Sequence, residues 1–220
     1  MPPIVHFGEN AAQEAGREAK RFGAKKALVV TDKVLMEIGV VQPVLDSLTK
    51  EGVETVVYDG VDSEPTLAHV EEGLEIYGRE KCDVIVAAGG GSSIDTSKAV
   101  RAMTANPGRI QDYMGIGKIT EAGPPMIAIP TTAGTGSEAS MFTIISDTEN
   151  DVKMLIGAPA VVPSAALIDP LMTLKMPRSL TAATGLDALT HAIEAYVSVK
   201  AQPMSDMMAL SAIRLLGEYL

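Results

Sequence analysis

Asp187 and His191 stand four residues apart in "GLDALTHAIEAY", residues 185–196. On a helix, residues at that spacing share a face, and Glu194 continues the stripe. A carboxylate beside a neutral imidazole suits Fe2+ or Zn2+. A plain hydrogen bond on a helix surface uses the same pair, and the pair taken alone favours that simpler reading. A second cluster is "VIVAAGGGSSIDTSKA", residues 84–99. It reads as a strand, a glycine-serine turn and a helix. Such a turn lets backbone N–H groups approach a phosphate, and the helix N-terminus adds unpaired N–H groups and partial positive charge. It is neither G-x-G-x-x-G, since Ile94 takes the place of the third glycine, nor a P-loop, since no G-K-[ST] follows. A tight turn between strand and helix remains the alternative.

A third cluster, "AIPTTAGTGSEAS" (128–140), places Thr131, Thr132, Thr135, Ser137 and Ser140 directly after another strand. Those hydroxyls suit a shared crevice, although a polar loop would look alike. Asp32 ends a strand. A carboxylate there accepts hydrogen bonds from both hydroxyls of an adenosine ribose and repels a 2′-phosphate, or it caps the helix that follows. His6, in an edge strand, and His69, on an amphipathic helix, read as structural. Cys82, at the start of a strand, reads as core.

These residues are positioned by an alternation of elements. Strands are expected at 24–32, 54–61, 82–91, 124–132 and 165–169. Helices are expected at 33–52, broken or restarted near Pro43, at 66–81, and at 92–104 with Ser92 or Ser93 as the cap. "MFTIISD" and "VKMLIGA" form a hairpin turning at "TEND". From about residue 176 only helix signals remain. The fold class is α/β: a parallel Rossmann-like sheet with crossover helices and a small β-hairpin, followed by the beginning of an all-α domain. The expected domains are 1–175 and 176–220.

The chain has 220 residues, 28 of them acidic and 18 basic, for a net charge of −10. That balance argues against nucleic acid as a partner. The single cysteine excludes an internal disulfide and fits a reducing compartment. "MPPIVHFGEN" lacks the marks of a signal peptide, and no apolar run reaches membrane-spanning length. The expectation is a cytoplasmic protein with no membrane partner.

Four collinear stretches, "VVTDK", "GGGSSIDTSKA", "PTTAGTGSEAS" and "LIDPLMTLKMPRSLTAATGLDALTHAIEAYVS", resemble the iron-containing (type III) alcohol dehydrogenases. The resemblance implies a dehydroquinate-synthase-like fold, with the active site in a cleft between an α/β domain and a helical domain. It implies an oxidoreductase that moves a hydride between NAD and a small alcohol or aldehyde, working as a homo-oligomer, a dimer. By resemblance, Asp32 contacts the adenosine ribose, and Gly90, Gly91 and Ser92 hold the pyrophosphate. Thr131, Thr132, Ser140 and Lys153 line the rest of the cofactor site. Asp187 and His191 match two metal ligands, for Fe2+ or Zn2+, and in this company the metal reading of the pair prevails. Family members bring two further histidines from later in the helical domain, and here none follows His191. The expectation is therefore a chain whose helical domain is incomplete and which alone is inactive or weakly active. The alternatives are an inactive dinucleotide-binding fragment, a subunit completed by a partner, or a sister enzyme such as a glycerol dehydrogenase.

Overall fold

The computed structural model describes all residues from Met1 to Leu220. The chain resolves into two compact units. One holds residues 1–131 and 137–174; the other holds 132–136 and 175–220.

The larger unit is built on six parallel strands. They are β1 (Ile4–Phe7), β2 (Lys26–Val30), β3 (Glu54–Tyr58), β4 (Val84–Gly89), β6 (Met126–Pro130) and β9 (Ala165–Ile168), in the order β1-β9-β6-β4-β2-β3. The central strands read as continuous apolar runs because both faces are covered. Along β2, Leu28 and Val30 enter one core while Ala27 and Val29 enter the other. In β4, Ile85 and Ala87 alternate in the same way with Val84, Val86 and Ala88. Helices α4 (Leu67–Glu80) and α5 (Gly91–Met103) close the first core through Leu67, Val70, Ile94 and Val100. Helices α1 (Ala15–Arg21) and α3 (Gln42–Lys50) close the second through Ala15, Ala19, Val44 and Leu48. Each fully buried Val, Leu or Ile contributes roughly 1.5–3 kcal/mol.

The expected helix over 33–52 is two helices. Asp32 caps the short α2 (Lys33–Glu37), and Pro43 sits in the first turn of α3. A proline there is tolerated because its missing N–H would be unpaired anyway. The hairpin is present as β7 (Phe142–Asp147) and β8 (Val152–Gly157), antiparallel from Phe142↔Gly157 to Asp147↔Val152. A two-residue strand, β5 (Gly115–Ile116), adds a parallel edge to β8.

The smaller unit consists of α6 (Arg178–Val197), α7 (Pro203–Tyr219) and the short segment 132–136. Within its two helices only Gly185, Ala192 and Ala209 are buried. No helix of the structure is long and apolar enough to cross a membrane.

Candidate cofactor and metal site

The sheet order reverses at β2. The chain runs outward from β2 to β3 and returns with β4 on the other side of β2. In an open parallel sheet, the crevice beyond the carboxyl ends of strands at such a reversal is where ligands bind. Three expected site segments leave the sheet there from adjacent strands. Asp32 follows β2, Gly90–Ser92 follow β4, and Thr131 follows β6, its N–H donating to Gly89 O at 3.0 Å.

The turn between β4 and α5 corrects one expectation. Neither Ser92 nor Ser93 caps α5; both lie within its first turn. Gly90 is the N-cap residue, in extended conformation, and no side chain bonds the helix N-terminus. The first-turn N–H groups of α5 therefore keep their hydrogen-bonding capacity for something else. Gly89 is needed for a separate reason. A Cβ there would overlap the side chain of the buried Ser93, so strand and helix approach at a distance only glycine permits. At the end of β2, the buried Thr31 hydroxyl has no hydrogen-bond partner. An uncapped helix start behind a glycine turn, with an orphaned hydroxyl at the neighbouring strand end, fits a dinucleotide phosphate.

Of the two roles its position allows, Asp32 shows the cap. Its Oδ1 accepts from Leu35 N–H at 2.9 Å, capping α2, and its Oδ2 lies outside that bond. Ser140 and Lys153 are already engaged. Ser140 Oγ accepts from Lys98 Nζ at 3.1 Å, and Lys153 Nζ pairs with Glu64 Oε1 at 2.7 Å on an exposed surface.

Three residues absent from the sequence expectations, Asp95, Lys98 and Glu138, belong to a buried polar group of this unit. The Lys98 ammonium is fully buried on α5 and faces Ser137 Oγ, Ser140 O, Ser140 Oγ and Phe142 O at 2.7–3.2 Å. Asp95, one turn earlier, accepts from the Ser137 hydroxyl and from Ile144 N–H. Burial lowers the Lys98 pKa to about 8, with Asp95 and Glu138 pulling the other way. Burial also raises Asp95 and Glu138 above the usual carboxylate range, although Lys98 acts against both shifts. The only trace in the sequence was an Asp and a Lys three apart on a helix otherwise facing the core.

In the smaller unit, Asp187 Oδ1 and His191 Nε2 are 3.6 Å apart on one face of α6, both partly exposed. Glu194 is exposed one turn on. No group of three or more His, Cys, Asp or Glu side chains is arranged to hold a metal ion. The residues present therefore fit a two-donor share of a metal site rather than the usual three or more protein ligands. Thr132 belongs to the segment 132–136 of this unit. There a Cβ on Gly134 would overlap the Thr184 carbonyl, so the segment lies directly against α6.

The remaining histidines and the cysteine are structural. His69 completes a capping box with Thr66 at the start of α4, and His6 Nε2 meets the buried Glu18 at 3.0 Å. Burial pushes the Cys82 thiol up to about 11, which keeps it protonated and unreactive at neutral pH.

The sequence model of the family described as "Iron-containing alcohol dehydrogenase" matches residues 2–170, and a second, "Fe-containing alcohol dehydrogenase family, C-terminal", matches 181–220. The chain belongs to the iron-containing alcohol dehydrogenase family. Over 220 residues it is 41% identical to the NAD-dependent methanol dehydrogenase of Bacillus methanolicus, covering all of this chain and 58% of that protein. A crystal structure of 1,3-propanediol oxidoreductase superposes with a TM-score of 0.96 at 42% identity, over 99% of this chain and 57% of that one. A sulfoacetaldehyde reductase from Bifidobacterium kashiwanohense, solved with NAD+, gives a TM-score of 0.92 at 34% identity, over 99% and 58%. The chain thus spans less than three fifths of the length of these family members, and its Rossmann-like α/β fold followed by helices is theirs.

Proposed function

We propose that the chain is the dinucleotide-binding part, with the first metal-binding helix, of an NAD- and metal-dependent alcohol dehydrogenase. The reaction moves a hydride from the carbinol carbon of a small alcohol to the nicotinamide of NAD+. It gives an aldehyde or ketone, NADH and a proton, and runs in reverse from the aldehyde. The uncapped N-terminus of α5, behind the Gly89–Gly91 turn at the point where the sheet order reverses, carries this reading. The names of the methanol dehydrogenase and of the NAD+ complex of the reductase support the choice of NAD.

In this reading, the N–H groups of Gly91 and Ser92 and the close-approaching Gly90 hold the pyrophosphate. Asp32 accepts from the adenosine ribose through Oδ2 while Oδ1 continues to cap α2. Thr131, Thr132 and Ser140 line the remainder of the cofactor site, and Lys153 joins them on exchanging its Glu64 partner for the cofactor. Asp187 and His191 are the chain's share of the ligands for Fe2+ or Zn2+. Bound metal supplies Lewis-acid polarisation of the alcohol oxygen. The chain's own residues bind and orient the dinucleotide, a positioning task in which misplacement by about 1 Å can cost on the order of 100-fold in rate.

Calorimetric titration of the chain with NAD+ tests the binding half of this reading, and saturable one-to-one binding is the expected result. A folded chain that takes up no NAD+ would overturn it. For the activity, NADH formation from short primary alcohols is to be followed by its absorbance in the whole protein loaded with Fe2+ or Zn2+; turnover that depends on both NAD+ and metal is expected, and a loaded protein that oxidises none of them would count against the reaction.

A further inference from the structure

We propose that Lys98 is a positioning residue for dinucleotide binding: it ties the far end of the polar loop 131–140 to α5 and so fixes Ser140 and the segment before it. The proposal rests on the dinucleotide reading above, and its structural half can be measured without any cofactor.

The loop leaves β6 at Thr131, whose N–H is held by Gly89 O. It has little regular structure of its own beyond a short 3-10 turn at Ser137–Ala139. Its middle, 132–136, groups with the helical unit rather than with the larger unit that holds its two ends. What ties the returning chain to the larger unit is the buried group on α5. One ammonium reaches Ser137 Oγ at 3.0 Å, both oxygens of Ser140 at 3.1 and 3.2 Å, and Phe142 O, the first residue of β7, at 2.7 Å. Asp95 completes the clasp. It takes the Ser137 hydroxyl on Oδ1 and the Ile144 N–H on Oδ2, and its carbonyl accepts from Thr143 Oγ1 at 2.8 Å.

A wholly buried ammonium is expensive, and an apolar side chain would fill that volume without the desolvation cost. On α5, Lys98 and Asp95 together join the loop, β7 and the helix in one group, and Lys98 alone reaches Ser140. Three N–H donors serving four acceptors leave the loop end a single arrangement. A neutral amine keeps only two donors for the same four acceptors. The charged groups facing Lys98 are Asp95 from its own helix, at 3.9 Å, and Glu138 from the 3-10 turn. Burial sets the Lys98 titration near pH 8. The ammonium, and with it the full clasp, is therefore present below that pH and lost as pH rises through it.

Hydrogen exchange of the chain without cofactor, compared with Lys98→Met, reads the clasp directly. Protection of amides within 132–142 should fall at least tenfold in Lys98→Met while the β2 and β4 amides stay protected. In the unsubstituted chain the same amides, corrected for intrinsic rates, should lose protection between pH 7 and pH 9, whereas Lys98→Met should show no such step. NAD+ affinity should fall at least tenfold in Lys98→Met and follow the same pH step in the unsubstituted chain. If Lys98→Met fails to fold, Lys98→Gln, which keeps a polar head without the charge, takes its place in both measurements. Unchanged loop protection in the substituted chain, or a loosened loop with unchanged NAD+ affinity, would overturn the proposal. A chain that shows the protection step but never binds NAD+ overturns the dinucleotide reading and, with it, the role of Lys98 in binding, while the clasp itself stands.

Discussion

At the scale of single residues, Asp32 caps a helix in the structure and is the residue proposed to meet the adenosine ribose. One carboxylate oxygen bonds the Leu35 amide and starts α2; the other remains outside that bond. A 2′-phosphate brought against this carboxylate meets like charge, and such juxtapositions cost on the order of several kcal/mol when desolvated. Asp32 is only partly buried, so solvent screens much of that cost. The expected outcome is a preference of at least about tenfold for NAD+ over NADP+, equivalent to about 1.4 kcal/mol. In Asp32→Gly the preference should shrink towards parity. Glycine is itself a fair N-cap, so stability should fall by only a few tenths of a kcal/mol. Affinities for the two cofactors, measured alongside denaturant midpoints, separate the two effects. Equal or tighter binding of NADP+ by the unsubstituted chain would remove Asp32 from the ribose. Both readings of Asp32 were legible in the sequence, because each depends only on a carboxylate at a strand end, and the cap is the one the structure shows. Lys98 was not. A lysine among apolar residues reads as a solvated surface position, and only tertiary placement of Ser137, Ser140 and Phe142 around it shows otherwise.

At the scale of elements, legibility followed the size of the buried side chains. The β2, β4 and β6 strands carry Val, Ile, Leu and Met into both cores and stand out in the sequence. Helix α1 buries Ala15, Gly16 and Ala19, too little apolar bulk to raise a helical period, and no helix was expected over 15–21. Gly16 is fixed there by the Ser47 backbone, which a Cβ would overlap. The two-residue β5 was likewise illegible, since its pairing with β8 is a matter of register. The turn between β4 and α5 was legible in type but not in detail: serines beside a helix start suggest a cap, yet the structure leaves the N-terminus of α5 uncapped. That difference bears on function, because a capped terminus has fewer N–H groups for a phosphate. Gly91→Val tests the element. Valine at the first helical position costs the helix well under about 1 kcal/mol in propensity, but its branched side chain stands where a phosphate must approach the backbone. NAD+ binding should be lost while circular dichroism and the unfolding midpoint stay close to those of the unsubstituted chain. Retained binding would move the pyrophosphate away from this turn.

At the scale of the whole molecule, the two units differ in what holds them together. The α/β unit buries two cores, one on each face of its sheet. The helical unit buries only Gly185, Ala192 and Ala209 within its helices, and leaves Leu186, Met204, Met207, Met208 and Tyr219 between 58% and 76% exposed. Local stability follows buried apolar contact, so the two units should not unfold together. The sequence foretold a change of character near residue 176, but not that 132–136 would group with the helices; that depends on Gly134 lying against Thr184, a contact between residues far apart in the chain. Exposed apolar side chains on this scale also favour self-association, so unfolding is best followed at low protein concentration.

Thermal unfolding should accordingly show two steps. The first, at lower temperature, removes the α6 and α7 helices; the second removes the sheet. A dinucleotide whose proposed contacts, Thr132 apart, lie in the α/β unit stabilises chiefly that unit by mass action, by about 2.7 kcal/mol when its concentration is 100 times its dissociation constant. For a unit of this size, each kcal/mol raises the midpoint by roughly 2–4 °C. The second step should therefore rise by about 5–11 °C with NAD+ while the first stays in place. Added Fe2+ or Zn2+ should move neither step strongly, because Asp187 and His191 offer two donors where such metals usually take three or more from the protein. Calorimetric scans with NAD+, with metal and with both measure all of these shifts. A first step that rises with NAD+ as far as the second would assign cofactor contacts to the helical unit. A single transition that shifts as a whole would mean that the two units unfold as one. In the first case the dinucleotide site would extend well beyond the carboxyl ends of β2, β4 and β6, and the role given to the start of α5 would have to be shared; in the second, cofactor contacts would have to be read from substitutions such as Gly91→Val instead.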